Sequence, residues 1–195
     1  MLVRHHMTLS PVTIAPIVRL NQAQEKMTAG RFRHLPVVQD DRVIGIVTDR
    51  DIRHHSGSEE RTKVEAAMTE NPLTISPDTT VEEAIQLMLR DQISGLPVVE
   101  NGKLIGIITT SDILRTFLEI TGASTPGSTR INVQLHQGQT LADAAKVIQE
   151  AAGEILAVGT YHEPASHARA FFLRVTGIES EQASSVLRQH GYTVL

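Results

Sequence analysis

The sequence predicts an α+β protein: a small strand–helix–strand–strand–helix unit that occurs twice in tandem, followed by a βαββαβ domain. Three observations lead there. Sliding the 195-residue chain against itself by 61 residues matches 7–53 with 68–114 without a gap, and 18 of the 47 pairs are identical. Within each copy the apolar period alternates between that of a strand and that of a helix. After the second copy, Thr121 to Thr129 is rich in Gly, Ser, Thr and Pro, and it sets off a last stretch with its own alternation. The expected division is 1–61 and 62–120 for the repeats, 121–129 for a linker and 130–195 for the final domain. A period of 61 exceeds the roughly 20–50 residues of solenoid repeats, so the two copies should pack on each other as a pair.

The elements are plainest in the second copy. Thr79-Thr80-Val81-Glu82 reads as a capping box with Thr79 and Glu82 as its partners. Val81, Ala84, Ile85, Met88 and Leu89 then follow helical spacing. Leu96-Pro97-Val98-Val99 reads as a short buried strand with its proline near the start, where a missing N–H is tolerated. Asn101-Gly102 favours positive φ and so predicts a hairpin into Leu104–Ile108. Ser111-Asp112-Ile113-Leu114 opens a second helix, with Leu114, Phe117 and Leu118 on its apolar face. In the first copy Asp40-Asp41 stands opposite Asn101-Gly102, so those paired carboxylates read as turn residues. Met27 and Met88 read as core filling. Ser56 to Glu60 reads as the loop between the copies.

In the last domain Ile131–Leu135 alternates like a half-buried strand, and Leu141, Ala144, Ala145, Ile148 and Ala152 form a helical stripe. Ile155–Tyr161 and Ala170–Val175 read as strands joined by a polar loop through Pro164. Ser180–His190 reads as a helix ended by Gly191, and Tyr192–Leu195 as a last strand. The order βαββαβ is that of the ferredoxin-like split βαβ arrangement.

Composition narrows the function. The chain has no cysteine, which removes disulfides, thiolate metal sites and cysteine nucleophiles. A formal charge of −4 without long runs of one sign, and 3% aromatic residues, argue against nucleic acid as the main partner. No apolar run has a membrane-spanning length, and the N-terminus lacks the apolar core of a signal peptide. The expectation is a cytoplasmic protein. His5, His6, His54 and His55 invite a metal, yet adjacent histidines point apart and no HExxH or Cys partner accompanies them. No nucleophile elbow, Walker A loop or GxGxxG is found, so no enzyme is expected.

Gly45-Ile46-Val47-Thr48-Asp49-Arg50-Asp51 and Gly106-Ile107-Ile108-Thr109-Thr110-Ser111-Asp112 follow one pattern: Gly, two hydrophobic residues, Thr, two variable residues, Asp. With the Leu-Pro-Val-Val strands and the Met-Thr…Thr-Ile starts, this resembles the CBS domain over nearly all of 7–118. The last domain is similar to ACT domains, and the combined layout resembles acetoin-utilization-type CBS/ACT proteins, a name that establishes no substrate. The resemblance implies a disc-like homodimer, a possible regulated protein partner, and adenosine-containing ligands (AMP, ADP, ATP or S-adenosylmethionine) between the repeats. No other cofactor is implied.

By physical reasoning, Thr48 and Thr109 stand where a strand gives way to a helix N-terminus, a position suited to phosphate. Asp51 and Asp112 can accept from two ribose hydroxyls, the role that family precedent gives this Asp. The same Thr-x-x-Asp spacing is also a helix capping box, and the two roles can coexist. The resemblance further places backbone at Thr13-Ile14 and Thr74-Ile75 against the adenine edge. Arg33 and His34 precede the first Leu-Pro-Val-Val strand, where Ser94-Gly95 stands in the second copy. They read either as phosphate ligands of one cleft, making it the more anion-preferring, or as solvated charges. Arg50 and Arg53 read as helix-start charges within reach of phosphate. In the ACT-like part, Leu135-His136-Gln137-Gly138-Gln139-Thr140-Leu141 lacks the Asp and Pro of that family's amino-acid loop and is one residue longer. The rivals to a nucleotide sensor are thus an interaction module without ligand, dimerising by sheet extension or helix packing, and an amino-acid-responsive regulator.

Overall fold

The computed structural model describes residues 1–162 and 169–195; the Pro164 loop expected from the sequence lies outside them. The chain forms two compact units, Met1–Leu114 and Arg115–Leu195.

In the first unit the order is β1 (Thr8–Leu9), α1 (Leu20–Gly30), β2 (His34–Gln39), β3 (Arg42–Thr48), α2 (Asp49–His54), β4 (Thr69–Glu70), α3 (Val81–Asp91), β5 (Gly95–Glu100), β6 (Lys103–Thr109) and the start of α4 (Thr110–Ile120). Each Leu-Pro-Val-Val segment is a buried strand, as its sequence predicts. Both hairpins turn through positive φ, at Asp40 and Asp41 in one and at Asn101 and Gly102 in the other. The α3 cap lies one residue later than expected. Thr80 Oγ1 accepts from Glu83 N (3.1 Å) and Glu83 Oε2 accepts from Thr80 N (2.9 Å). Of two consecutive threonines, the one that sits three residues before a carboxylate with helical backbone takes the cap, and Glu83 satisfies this as well as Glu82.

The sheets show what the repeat pattern does not. Their strand orders are β1-β6-β5 and β2-β3-β4, so the first strand of each copy completes the sheet of the other. The exchange extends further towards the N-terminus. Val3 N donates to Thr79 O and Arg4 N to Pro77 O, while Val64 N donates to Val18 O and Glu65 N to Pro16 O. Val3 and Val64 are fully buried, Val3 in the core with Leu96, Val98 and Ile108, and Val64 in the core with Leu35, Val37 and Val47. The exchanged strands also account for the glycine that opens each repeated motif. Any Cβ on Gly45 would collide with Met68, and one on Gly106 with Met7, the methionines that precede β4 and β1.

The α4 side chains Leu114, Phe117 and Leu118 are exposed rather than buried, at 60%, 58% and 47%. The sequence period correctly marks an apolar face, but nothing within the described chain covers it.

The second unit contains the end of α4, then β7 (Thr129–Gln134), α5 (Leu141–Glu150), β8 (Glu154–His162), β9 (Arg169–Thr176), α6 (Ser180–Gln189) and β10 (Thr193–Val194). All its strand pairs are antiparallel and the order is β10-β7-β9-β8. Ile131, Val133, Leu173 and Val175 of the sheet pack on Ala144, Ile148, Ala183 and Leu187 of the helices. Thr140 caps α5, accepting from Asp143 N at 3.1 Å, and Gly191 follows α6 at φ +81°. The His136–Thr140 loop closes on itself: Gln139 accepts from His136 N and donates to Gly191 O, both at 2.9 Å.

Candidate functional site

The motif threonines stand at the ends of β3 and β6, where each strand runs straight into a helix. In both copies the aspartate three residues on folds back to cap it. Asp51 Oδ2 accepts from Thr48 N (2.8 Å) and from Thr48 Oγ1 (2.6 Å). Asp112 Oδ2 accepts from Thr109 N (2.8 Å) and Thr109 Oγ1 (2.7 Å). The capping role is therefore real, and it occupies one carboxylate oxygen that the sequence reading had available for ribose.

The first N–H of each helix is also used. Asp49 N donates to Arg33 O (3.1 Å) and Thr110 N to Ser94 O (3.0 Å). The residue ahead of each Leu-Pro-Val-Val strand thus lies against the helix start and takes one of the N–H groups expected for phosphate.

Two cavities flank these motifs. One, of about 380 Å³, is lined by Thr48, Arg50 and Asp51 with Thr69, Pro72, Leu73 and Gln92. The other, of about 270 Å³, is lined by Thr109 and Asp112 with Thr8, Ser10, Val12 and Arg31. Both lie near or within the roughly 300–1,000 Å³ range of small-molecule sites. Strand exchange is what builds them. Each cleft combines the Thr-x-x-Asp motif of one copy with the opening segment of the other copy, which arrives beside it as β4 or β1.

Arg33, His34 and Ser94 line both cavities. The expectation that Arg33 and His34 belong to one cleft is corrected accordingly: they stand on the wall between the two. His34 Nε2 lies 2.9 Å from Ser94 Oγ, and a Cβ on Gly95 would come within 2.9 Å of the His34 ring. The glycine that replaces histidine in the second copy thus makes room for the first copy's imidazole. Burial, and secondarily the Arg33 charge, hold the His34 pKa below its ordinary 6.5, against smaller opposing effects of Asp49 and Asp51.

Other expected contacts are placed elsewhere. Ile14 and Ile75 are buried and bonded in short parallel bridges, each donating to the proline of a Leu-Pro-Val-Val strand and accepting from the second valine. Their main chain is spent inside each copy, and neither they nor Thr13 and Thr74 line the two clefts; Thr74 and Ile75 instead border a shallow depression beside α3. Ser10–Val12 and Pro72–Leu73, slightly earlier in each copy, occupy the cleft walls. Sequence reading missed them, along with Arg31, Thr8 and Thr69. The available signal was that Val3 and Val64 also match at the 61-residue offset, which carries the repeat back past the first strands.

Comparison with known proteins agrees with the duplicated fold. The family model for the CBS domain matches twice, at residues 3–58 and 64–119. An inosine-5'-monophosphate dehydrogenase of Aquifex aeolicus is 29% identical over 160 residues, 80% of this chain and 33% of the relative. The chain thus spans about a third of the length of that enzyme. A CBS domain-containing protein of Dictyostelium discoideum is 36% identical over 134 residues, covering 61% of this chain and 92% of the relative. Among solved structures, the CBS domain pair of protein MJ0100, in complex with 5'-methylthioadenosine and S-adenosyl-L-methionine, has a TM-score of 0.57 at 29% identity, covering 60% of this chain and 95% of its own. CBSX2 in complex with AMP has a TM-score of 0.54 at 30% identity, covering 61% and 97%. The protein AcuB from Vibrio cholerae has a TM-score of 0.56 at 32% identity, covering 65% and 98%.

Proposed function

The chain belongs to the CBS domain family, and from that premise we propose that it is a ligand-sensing regulatory protein, without catalytic activity of its own, that binds adenosine nucleotides of the AMP, ADP or ATP class. The observation that carries the reading is the pair of clefts, each joining a Thr-x-x-Asp motif to the exchanged segment of the other copy. A ligand seated there touches both copies at once, so it stabilises one arrangement of the pair over another by its difference in affinity. In the proposal the Thr48 and Thr109 hydroxyls turn from their cap aspartates to donate to phosphate or ribose, and Asp51 and Asp112 accept from ribose with the carboxylate oxygen turned away from the cap. Arg33, His34 and Arg50 face phosphate. Adenine is held by the Ser10–Val12 and Pro72–Leu73 walls rather than by Thr13-Ile14 and Thr74-Ile75. Structures of relatives with AMP, 5'-methylthioadenosine and S-adenosyl-L-methionine support this ligand class.

The exposed apolar stripe Leu114, Phe117 and Leu118 supports a homodimer that covers it. The division at 1–61, 62–120, 121–129 and 130–195, a cytoplasmic location and a regulated protein partner belong to the same proposal. So does a ferredoxin-like, ACT-type reading of the last domain, which its order β10-β7-β9-β8 supports.

Calorimetric titration with AMP, ADP, ATP and S-adenosylmethionine tests the reading, repeated on Asp51→Ala and Asp112→Ala with their melting curves as a check of folding. Saturable binding that either substitution weakens is the expected result. Absence of binding by all four ligands overturns it in favour of an interaction module.

A further inference from the structure

The two clefts carry the same charge once their internal ion pairs are set aside. Arg33 and Arg50 line the Thr48 cleft, and Arg31 and Arg33 the Thr109 cleft. Asp49 and Asp91 of the Thr48 cleft are held by Arg53 at 2.6 Å and by Arg90 at 2.8 Å. Asp51 and Asp112 each have one oxygen engaged in a cap. Each cleft therefore keeps two guanidinium groups and one half-engaged carboxylate. Arg31, Arg33 and Arg50 take part in none of the ion pairs among the described residues. Of these three, Arg31 and Arg50 each serve one cleft, whereas Arg33 lines both. At the 61-residue offset Arg33 matches Ser94, so two clefts face a wall that holds a single arginine.

We propose that Arg33 is a phosphate ligand for which the two clefts compete, so that a phosphate-bearing adenosine in either cleft weakens the binding of a second one in the other. A guanidinium drawn onto one phosphate by charge-assisted hydrogen bonds cannot make the same bonds across the wall. The second phosphate then has only the private arginine of its cleft, Arg31 or Arg50. It is also repelled by the first phosphate, whose charge stands on the other side of the same wall. An adenosine without phosphate makes no demand on Arg33 and fills both clefts independently. The inference rests on the adenosine-binding reading and adds how occupancy of one site regulates the other.

The test is calorimetric titration of the full chain with AMP and, separately, with 5'-methylthioadenosine. AMP is expected to show two sites per chain, the second about tenfold weaker than the first, as for the loss of one charge-assisted hydrogen bond. Asp51→Ala and Asp112→Ala each disable one cleft, and each is expected to keep one AMP site as tight as the first site of the wild type. Arg33→Gln, at an exposed position, should leave two weak AMP sites of like affinity. 5'-Methylthioadenosine should fill two uncoupled sites, unchanged by Arg33→Gln. Four results would overturn the sharing of Arg33 while leaving the sensor reading intact. These are two equal, independent AMP sites in the wild type; only weak AMP binding, or none, in one of the Asp variants; unequal AMP sites that persist in Arg33→Gln; and the same inequality with 5'-methylthioadenosine. No binding of either ligand overturns both.

Discussion

The two repeats share one fold and one motif, yet they have become unequal partners. The first copy supplies the Arg33 guanidinium and the His34 imidazole at the common wall, and the second supplies Ser94 there. His34 reaches across because Gly95 has no side chain to block it. The first copy's hairpin turns on two aspartates and the second copy's on Asn-Gly. The helix that follows the motif has six residues in the first copy and eleven in the second. A duplicated unit whose halves share a wall can place a single functional group to serve two sites. The other half is then free to lose its own copy of that group.

The sharpest way to break this comparison is through the exchanged segments. Val3→Asp places an unpaired charge in the core of the second copy, at a cost of about 3–5 kcal/mol. Val64→Asp does the same to the first copy. Hydrogen exchange should lose protection in β5 and β6 for Val3→Asp, and in β2 and β3 for Val64→Asp. The reverse assignment would refute the exchange of strands.

A smaller effect comes from His34, where pH separates the copies. Its folded pKa lies below the 6.5 of the unfolded chain, chiefly through burial. Between those two values the unfolded state binds more protons, so stability falls as pH drops from about 6.5 through the folded value. His34→Gln keeps a partner for Ser94 and removes the titration. Its denaturation midpoint should fall less steeply than that of the wild type over this range; parallel profiles would show that His34 carries none of the slope.

The smallest effect sharpens the comparison of turns. Asp41 sits at φ +64°, where its counterpart is Gly102 at φ +78°. Asp41→Gly should stabilise the protein by about 0.5–1 kcal/mol, since the left-handed region is strained for residues with a Cβ. The lost ion pair to Lys103, 3.3 Å away and exposed, offsets little of this. An unchanged melting temperature would mean that the aspartate is as comfortable there as glycine.

Much of this protein was legible in its sequence for local reasons. Duplication, the Leu-Pro-Val-Val strands, both hairpin turns and the pairing of each motif Thr with its Asp follow from periodicity, turn chemistry and spacing within a few residues. The choice between Thr79 and Thr80 as the α3 cap was less legible, because both have a glutamate three residues on. What required the tertiary structure was every relation between the copies. Antiparallel pairing can join a two-residue strand to either of two equivalent sheets, and the sequences of β3 and β6 are too alike to announce which one β1 or β4 will choose. The exchange therefore decided that Val3 belongs to the second core and that Arg31 stands in the cleft of the opposite motif. It also decided that Arg33 and His34 face two sites instead of one, since a residue on the shared wall between two packed copies has no counterpart in any pattern read along a single chain.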